Sequence, residues 1–87
     1  MLEKEVKISN TTGLHARTAA LFVQTAGKFT SNIWIRKGEK KVNAKSIMGL
    51  MSLAASQGNN VAIVAEGEDE HIAIKELTEL ILSGFKE

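Results

Sequence analysis

The apolar residues of this chain change period as it runs, and that alternation limits the folds open to it. Leu2, Lys4, Val6 and Ile8 fall on one face of the first stretch and Glu3, Glu5 and Lys7 on the other, the two-residue period of a half-buried strand. After a polar turn from Ser9 to Gly13 the spacing becomes helical. Ala16, Ala19, Ala20, Val23 and Ala26 share a stripe, Phe22 and Phe29 lie near its margin, and Gly27 stands where a helix should end. Asn32 to Lys37 returns to strand, with Ile33 and Ile35 on one face and Trp34 on the other. Lys37-Gly38-Glu39-Lys40 is a hairpin turn, and Lys41 to Asn43 is a short third strand whose neighbouring lysines mark a sheet edge. Ser46 is a good cap for a short helix running through Leu53. Gly58-Asn59-Asn60 is a turn, and Val61 to Glu66, the most apolar strand, is expected at the centre of the sheet. Glu68, Asp69 and Glu70 place acid at the start of a last helix, which suits its dipole, and Ser83-Gly84 closes it.

The order is therefore βαββαβα. Short connections favour antiparallel strands, with the two longer helices over one face: an α+β, open-faced β-sandwich. At 87 residues the chain is read as one domain, 1–87, without repeat or linker. The net charge is +1, which gives no broad basic field, so no direct nucleic-acid partner is expected. There is no cysteine, which excludes a disulfide framework and thiolate metal ligands and points to a reducing compartment. Met1-Leu2-Glu3-Lys4-Glu5 lacks an apolar signal core, and no apolar run approaches the roughly 20 residues of a membrane span. A cytoplasmic protein with no membrane insertion is the expectation.

Between the first strand and the first helix stands Gly13-Leu14-His15-Ala16-Arg17-Thr18. His15 falls at or near the N-cap, where the first helical turn leaves N–H groups without intrahelical partners at the positive end of the dipole. Neutral imidazole is a nucleophile, and a phosphoryl group on it would face those donors and Arg17. The Thr12 hydroxyl is placed to hold the other ring nitrogen and fix the tautomer. No Ser/His/Asp set can be assembled around His15. His71 lies among acids and reads as a solvated helix residue; a metal site needs further ligands that the chain does not supply, so neither metal nor cofactor is expected. The residues alone leave two readings open: a histidine that captures an anion, or a surface histidine beside a solvated arginine.

Gly13-Leu14-His15-Ala16-Arg17, followed downstream by Lys45-Ser46-Ile47-Met48-Gly49, resembles the HPr family, the histidine-containing phosphocarriers of the bacterial sugar phosphotransferase system. The resemblance covers essentially the whole chain. The run from Val42 to Leu53 resembles the form found in low-GC Gram-positive bacteria. It implies a four-stranded antiparallel sheet in the order 1-4-2-3 with helices on one face. It also implies that His15 takes a phosphoryl group on Nδ1 from phosphorylated enzyme I and passes it to enzyme II A domains of sugar permeases. Such a protein is a carrier, with no substrate turnover of its own. Arg17 would neutralise the phosphate, and the N–H groups of Ala16 and Arg17 would bind its oxygens. Thr18 departs from the family, which usually has proline there; the exchange restores an N–H in the first turn and frees φ.

The same resemblance gives Ser46 a second role beside capping. It implies phosphorylation by an HPr kinase/phosphorylase and binding to a catabolite-control repressor, as in Crh-type regulators, in which the active histidine is replaced. A dianion at a helix N-terminus meets free N–H groups, so the modification need not unfold the helix. Of the apolar residues that follow, Leu50 and Leu53 are expected in the core. Ile47, Met48 and Met51 are expected on an exposed docking patch near His15, extended by Leu14, Thr18 and Ala20, where pliable methionine suits several partners. The competing function is that of a Crh-type regulator acting through phospho-Ser46. The presence of His15 favours the carrier.

Overall fold

The computed structural model describes residues 1–86; Glu87, the last residue of the expected domain, lies outside them. The elements are β1 (Leu2–Lys7), α1 (Ala16–Ala26), β2 (Asn32–Lys37), β3 (Lys40–Asn43), α2 (Ile47–Ser52), β4 (Asn60–Glu66) and α3 (Glu70–Leu82), closed by a single turn at Gly84–Lys86. The order is the expected βαββαβα. The strands form one antiparallel sheet in the order β1-β4-β2-β3. β4 lies inside, as its apolar run requires, and lysine-rich β3 is an edge.

Strand alternation divides the sheet into two faces. Val61, Ile63 and Ala65 of β4 join Val6, Ile8, Ile33 and Ile35 in the core beneath the helices. From α1 come Ala19, Phe22 and Ala26, and from α3 Ala73, Leu77 and Ile81. Phe85 folds back into the same core from the final turn. The α1 stripe therefore differs from the one its alanines suggest. Phe22, fully buried, is its centre, while Ala16 is exposed. A phenyl ring removes far more apolar surface from water than a methyl, so it decides which side of the helix turns inward. Phe29 is also buried, but beyond the helix end.

The other sheet face is partly roofed by its own side chains. Ala62 and Val64, which alternate along β4 with the residues beneath the helices, are buried there. They pair with Glu3, Glu5, Trp34 and Arg36 on the flanking strands. An Arg36–Glu3 ion pair of 2.7 Å spans β4, and the Lys41 ammonium stands 4.6 Å from the centre of the Trp34 ring. Arg36 holds the Glu3 carboxyl below its ordinary range, chiefly by hydrogen bonding.

Acid at the start of α3 does more than meet the dipole. Asp69 makes no side-chain cap to its own helix. Its carboxylate instead accepts from the N–H of Thr30 at 2.8 Å, the N–H of Ser31 at 3.0 Å and the Ser31 hydroxyl. These bonds pin the loop from α1 to β2 onto α3. Hydrogen bonding by Ser31, then by the Thr30 backbone, pulls the Asp69 carboxyl from 3.8 down to about 2. A depressed carboxylate stabilises the fold fully above its unfolded value and loses that contribution as pH falls toward the folded one. Thermal unfolding should therefore drop between about pH 3.8 and 2. An Asp69→Asn variant should be less stable at neutral pH and flatter across that window. Parallel curves for the two proteins would refute the assignment.

Candidate functional site

His15 is the N-cap of α1, in extended conformation at φ −123° and ψ −171°. The segment that delivers it is fixed from several sides. Gly13, at φ +64°, turns the chain. Its carbonyl accepts from the buried Asn10 side-chain amide at 3.0 Å and from the Thr18 hydroxyl at 2.8 Å. The next N–H, of Leu14, donates to the Ala55 carbonyl at 2.9 Å. The Leu14 side chain drops into the core, 6% exposed. The backbone before His15 is thus tied to both its own helix and the chain just after α2.

The ring is held from the helix side. Nδ1 of His15 accepts from the Arg17 N–H at 3.3 Å. The His15 side chain also accepts from the Thr18 N–H, and the Thr18 hydroxyl accepts from the His15 N–H at 3.0 Å. This is a reciprocal capping box in which histidine and threonine take the places usually filled by serine and glutamate. A ring nitrogen that accepts an N–H carries a lone pair, so Nδ1 is the nucleophilic nitrogen of the neutral ring. It lies at a helix N-terminus, where donors and dipole favour an anion. Ala16, Arg17 and Thr12 are exposed around it, and His15 is half-buried. The Thr12 hydroxyl accepts from the Asn10 amide at 3.2 Å.

Ser46 is the N-cap of α2, its hydroxyl accepting from the Gly49 N–H at 3.0 Å. Ile47, Met48 and Met51 stand out from the helix, with Met48 80% exposed, while Leu50 and Leu53 are buried. The carbonyls at the far end of α2 are met by two ammonium groups from the β2–β3 hairpin. Lys40 donates to Ser52 at 2.6 Å and Lys37 to Ala54 at 3.0 Å. Cations there oppose the negative end of the dipole. The Leu14–Ala55 hydrogen bond joins the chain just after α2 to the His15 loop.

Two residues expected on that patch are not on it. Leu14 is core, because its N–H bond to Ala55 turns the side chain inward. Thr18 is fully buried, its hydroxyl spent on Gly13 and His15. Ala20 is half-buried. Asn10 and the Ala55 carbonyl also shape the site, and neither stands out in the sequence. Asn10 lies in a polar turn, where asparagine is common, and a backbone carbonyl leaves no mark in a sequence. His71 is exposed on α3. Among the described residues no helix is long and apolar enough to cross a membrane.

The family model for the PTS HPr component phosphorylation site matches residues 2–83. The chain is 56% identical over 77 residues to the HPr-like protein Crh of Bacillus subtilis, covering 88% of this chain and 91% of that one. It is 51% identical over 87 residues to the phosphocarrier protein HPr of Xylella fastidiosa, covering 100% of this chain and 98% of that one. The crystal structure of an HPr from Thermoanaerobacter tengcongensis superposes with a TM-score of 0.96 at 64% identity, covering 100% of this chain and 98% of the other.

Proposed function

Because the chain belongs to the HPr family of the phosphotransferase system, we propose that it carries a phosphoryl group on Nδ1 of His15. The observation that carries this reading is the Nδ1 lone pair held at the open N-terminus of α1 by the Arg17 N–H. The lone pair attacks phosphorus as the bond from phosphorus to the donor breaks, and onward transfer runs the same exchange in reverse. The N–H groups of Ala16 and Arg17 bind the phosphoryl oxygens, and the Arg17 guanidinium balances their charge. Phosphorylated enzyme I is the donor, and enzyme II A domains of sugar permeases are the acceptors. Ile47, Met48 and Met51 form the docking patch, with Ala20 at its margin. The protein works in the cytoplasm.

Incubation with enzyme I and phosphoenolpyruvate tests the reading. Acid-labile phosphate on His15, absent from a His15→Ala variant, is expected. A chain that stays unlabelled while a known HPr is labelled in the same mixture would overturn it.

A second reading is supported by the 56% identity to Crh and by the cap geometry of Ser46. Here an HPr kinase/phosphorylase modifies Ser46, and the phosphoprotein joins a catabolite-control repressor. A phosphate on the hydroxyl would lie at the N-terminus of α2, next to the apolar patch, and would act through charge against partners with acidic rims. A Ser46→Asp variant should accept phosphoryl groups from enzyme I roughly tenfold more slowly, the scale of one unfavourable charge contact. Unchanged rates would remove the regulatory role.

A further inference from the structure

The buried threonine in the first turn of α1 bonds to the reactive histidine through both its backbone and its side chain. Thr18 gives its N–H to the His15 side chain. Its hydroxyl accepts from the His15 N–H at 3.0 Å and donates to the Gly13 carbonyl at 2.8 Å. It is fully buried, so these bonds form without competition from water. A single side chain thus spans the residue before Leu14 and the residue after it. We infer that Thr18 is the positioning residue of His15: its hydroxyl sets the backbone that delivers the ring, and its N–H sets the ring's orientation. The inference rests on the reading of His15 as phosphoryl acceptor.

The two donors on the ring have a further effect when the phosphoryl group arrives. The Arg17 and Thr18 N–H groups converge on the imidazole that becomes modified. A neutral ring nitrogen is a weaker acceptor than a phosphoryl oxygen, which carries charge. The same donors, without moving far, therefore favour the phosphorylated state over the free one. Thr18 supplies one of them, so it raises the share of phospho-His15 at equilibrium with the donor.

Three variants separate the parts. Thr18→Ser keeps N–H and hydroxyl, Thr18→Val keeps only the N–H, and Thr18→Pro keeps neither. Nitrogen NMR of the unphosphorylated proteins reads the ring, and phosphorus NMR reads the phospho-His15 fraction at a fixed ratio of phosphoenolpyruvate to pyruvate with enzyme I. The ring resonances should stay in place in the serine variant and move in the other two. The equilibrium constant for phosphorylation should fall roughly tenfold in the proline variant, the scale of one hydrogen bond to a charged oxygen, and be restored with serine. Ring resonances unchanged in both the valine and proline variants would overturn the inference. So would equal displacement in all three, which would mark Thr18 as packing alone. The ring measurement needs no phosphorylation, so failure of the native protein to be labelled would strike the carrier reading separately.

Discussion

A Gly13→Ala variant is expected to lose about 2–5 kcal/mol of unfolding free energy, with most of its capacity to be phosphorylated. Two effects add. The backbone at position 13 is left-handed, at φ +64°, which an L side chain adopts only with strain. A Cβ there would also overlap the Ala55 carbonyl oxygen and stand 2.9 Å from the Ser56 Cα. Both obstacles are backbone, so neither can swing aside as a flexible side chain would. The Ala55 carbonyl is the one that holds the Leu14 N–H, and the shift forced on it passes directly to His15. Denaturant unfolding measures the first effect. Labelling by enzyme I and phosphoenolpyruvate, scaled to the folded fraction, measures the second. A stability loss under about 1 kcal/mol would show that the loop yields more easily than its contacts imply.

Leu50→Ala should be about as costly, roughly 2–5 kcal/mol, because the residue is fully buried and leaves a cavity. The functional loss should exceed the loss of stability. α2 has six residues, far below the length at which a helix persists alone, so its shape depends on its anchors. With Leu50 gone, Ile47, Met48 and Met51 lose their common platform. Met48→Ala is the control. Its side chain is 80% exposed, so stability should stay within about 0.5 kcal/mol while transfer to partners slows. If Leu50→Ala transfers normally at temperatures where it is folded, the patch is not the docking surface.

Long periodic stretches were legible in the sequence because each reports burial many times over. The apolar run from Val61 to Ala65 placed β4 inside the sheet, and the lysines around β3 placed it at an edge. Ser46 as a cap, the division of α2 into buried Leu50 and Leu53, and exposed Ile47, Met48 and Met51 also followed from spacing. Residues outside any period were harder. Leu14 stands alone between Gly13 and His15, and its inward direction goes with a hydrogen bond to Ala55, far along the chain. Thr18 is polar and close to His15, which favours an exposed reading. Its burial follows from satisfying its hydroxyl at Gly13 and His15, a tertiary arrangement without a pattern. Asp69 looks in the sequence like a local helix signal, whereas its bonds are to Thr30 and Ser31 in the loop from α1 to β2.

The two lysine ties at the end of α2 bear on how long a complex lasts. Lys37 and Lys40 hold the helix from the hairpin, and Ser46 holds its start, so the proposed docking patch is already in shape before a partner arrives. Little ordering remains to be done on contact, and association can be quick. Three exposed apolar side chains are also a small area, well short of what a long-lived assembly buries. Speed in both directions is what the proposed carrier role requires: each residence ends soon enough for the next one to begin.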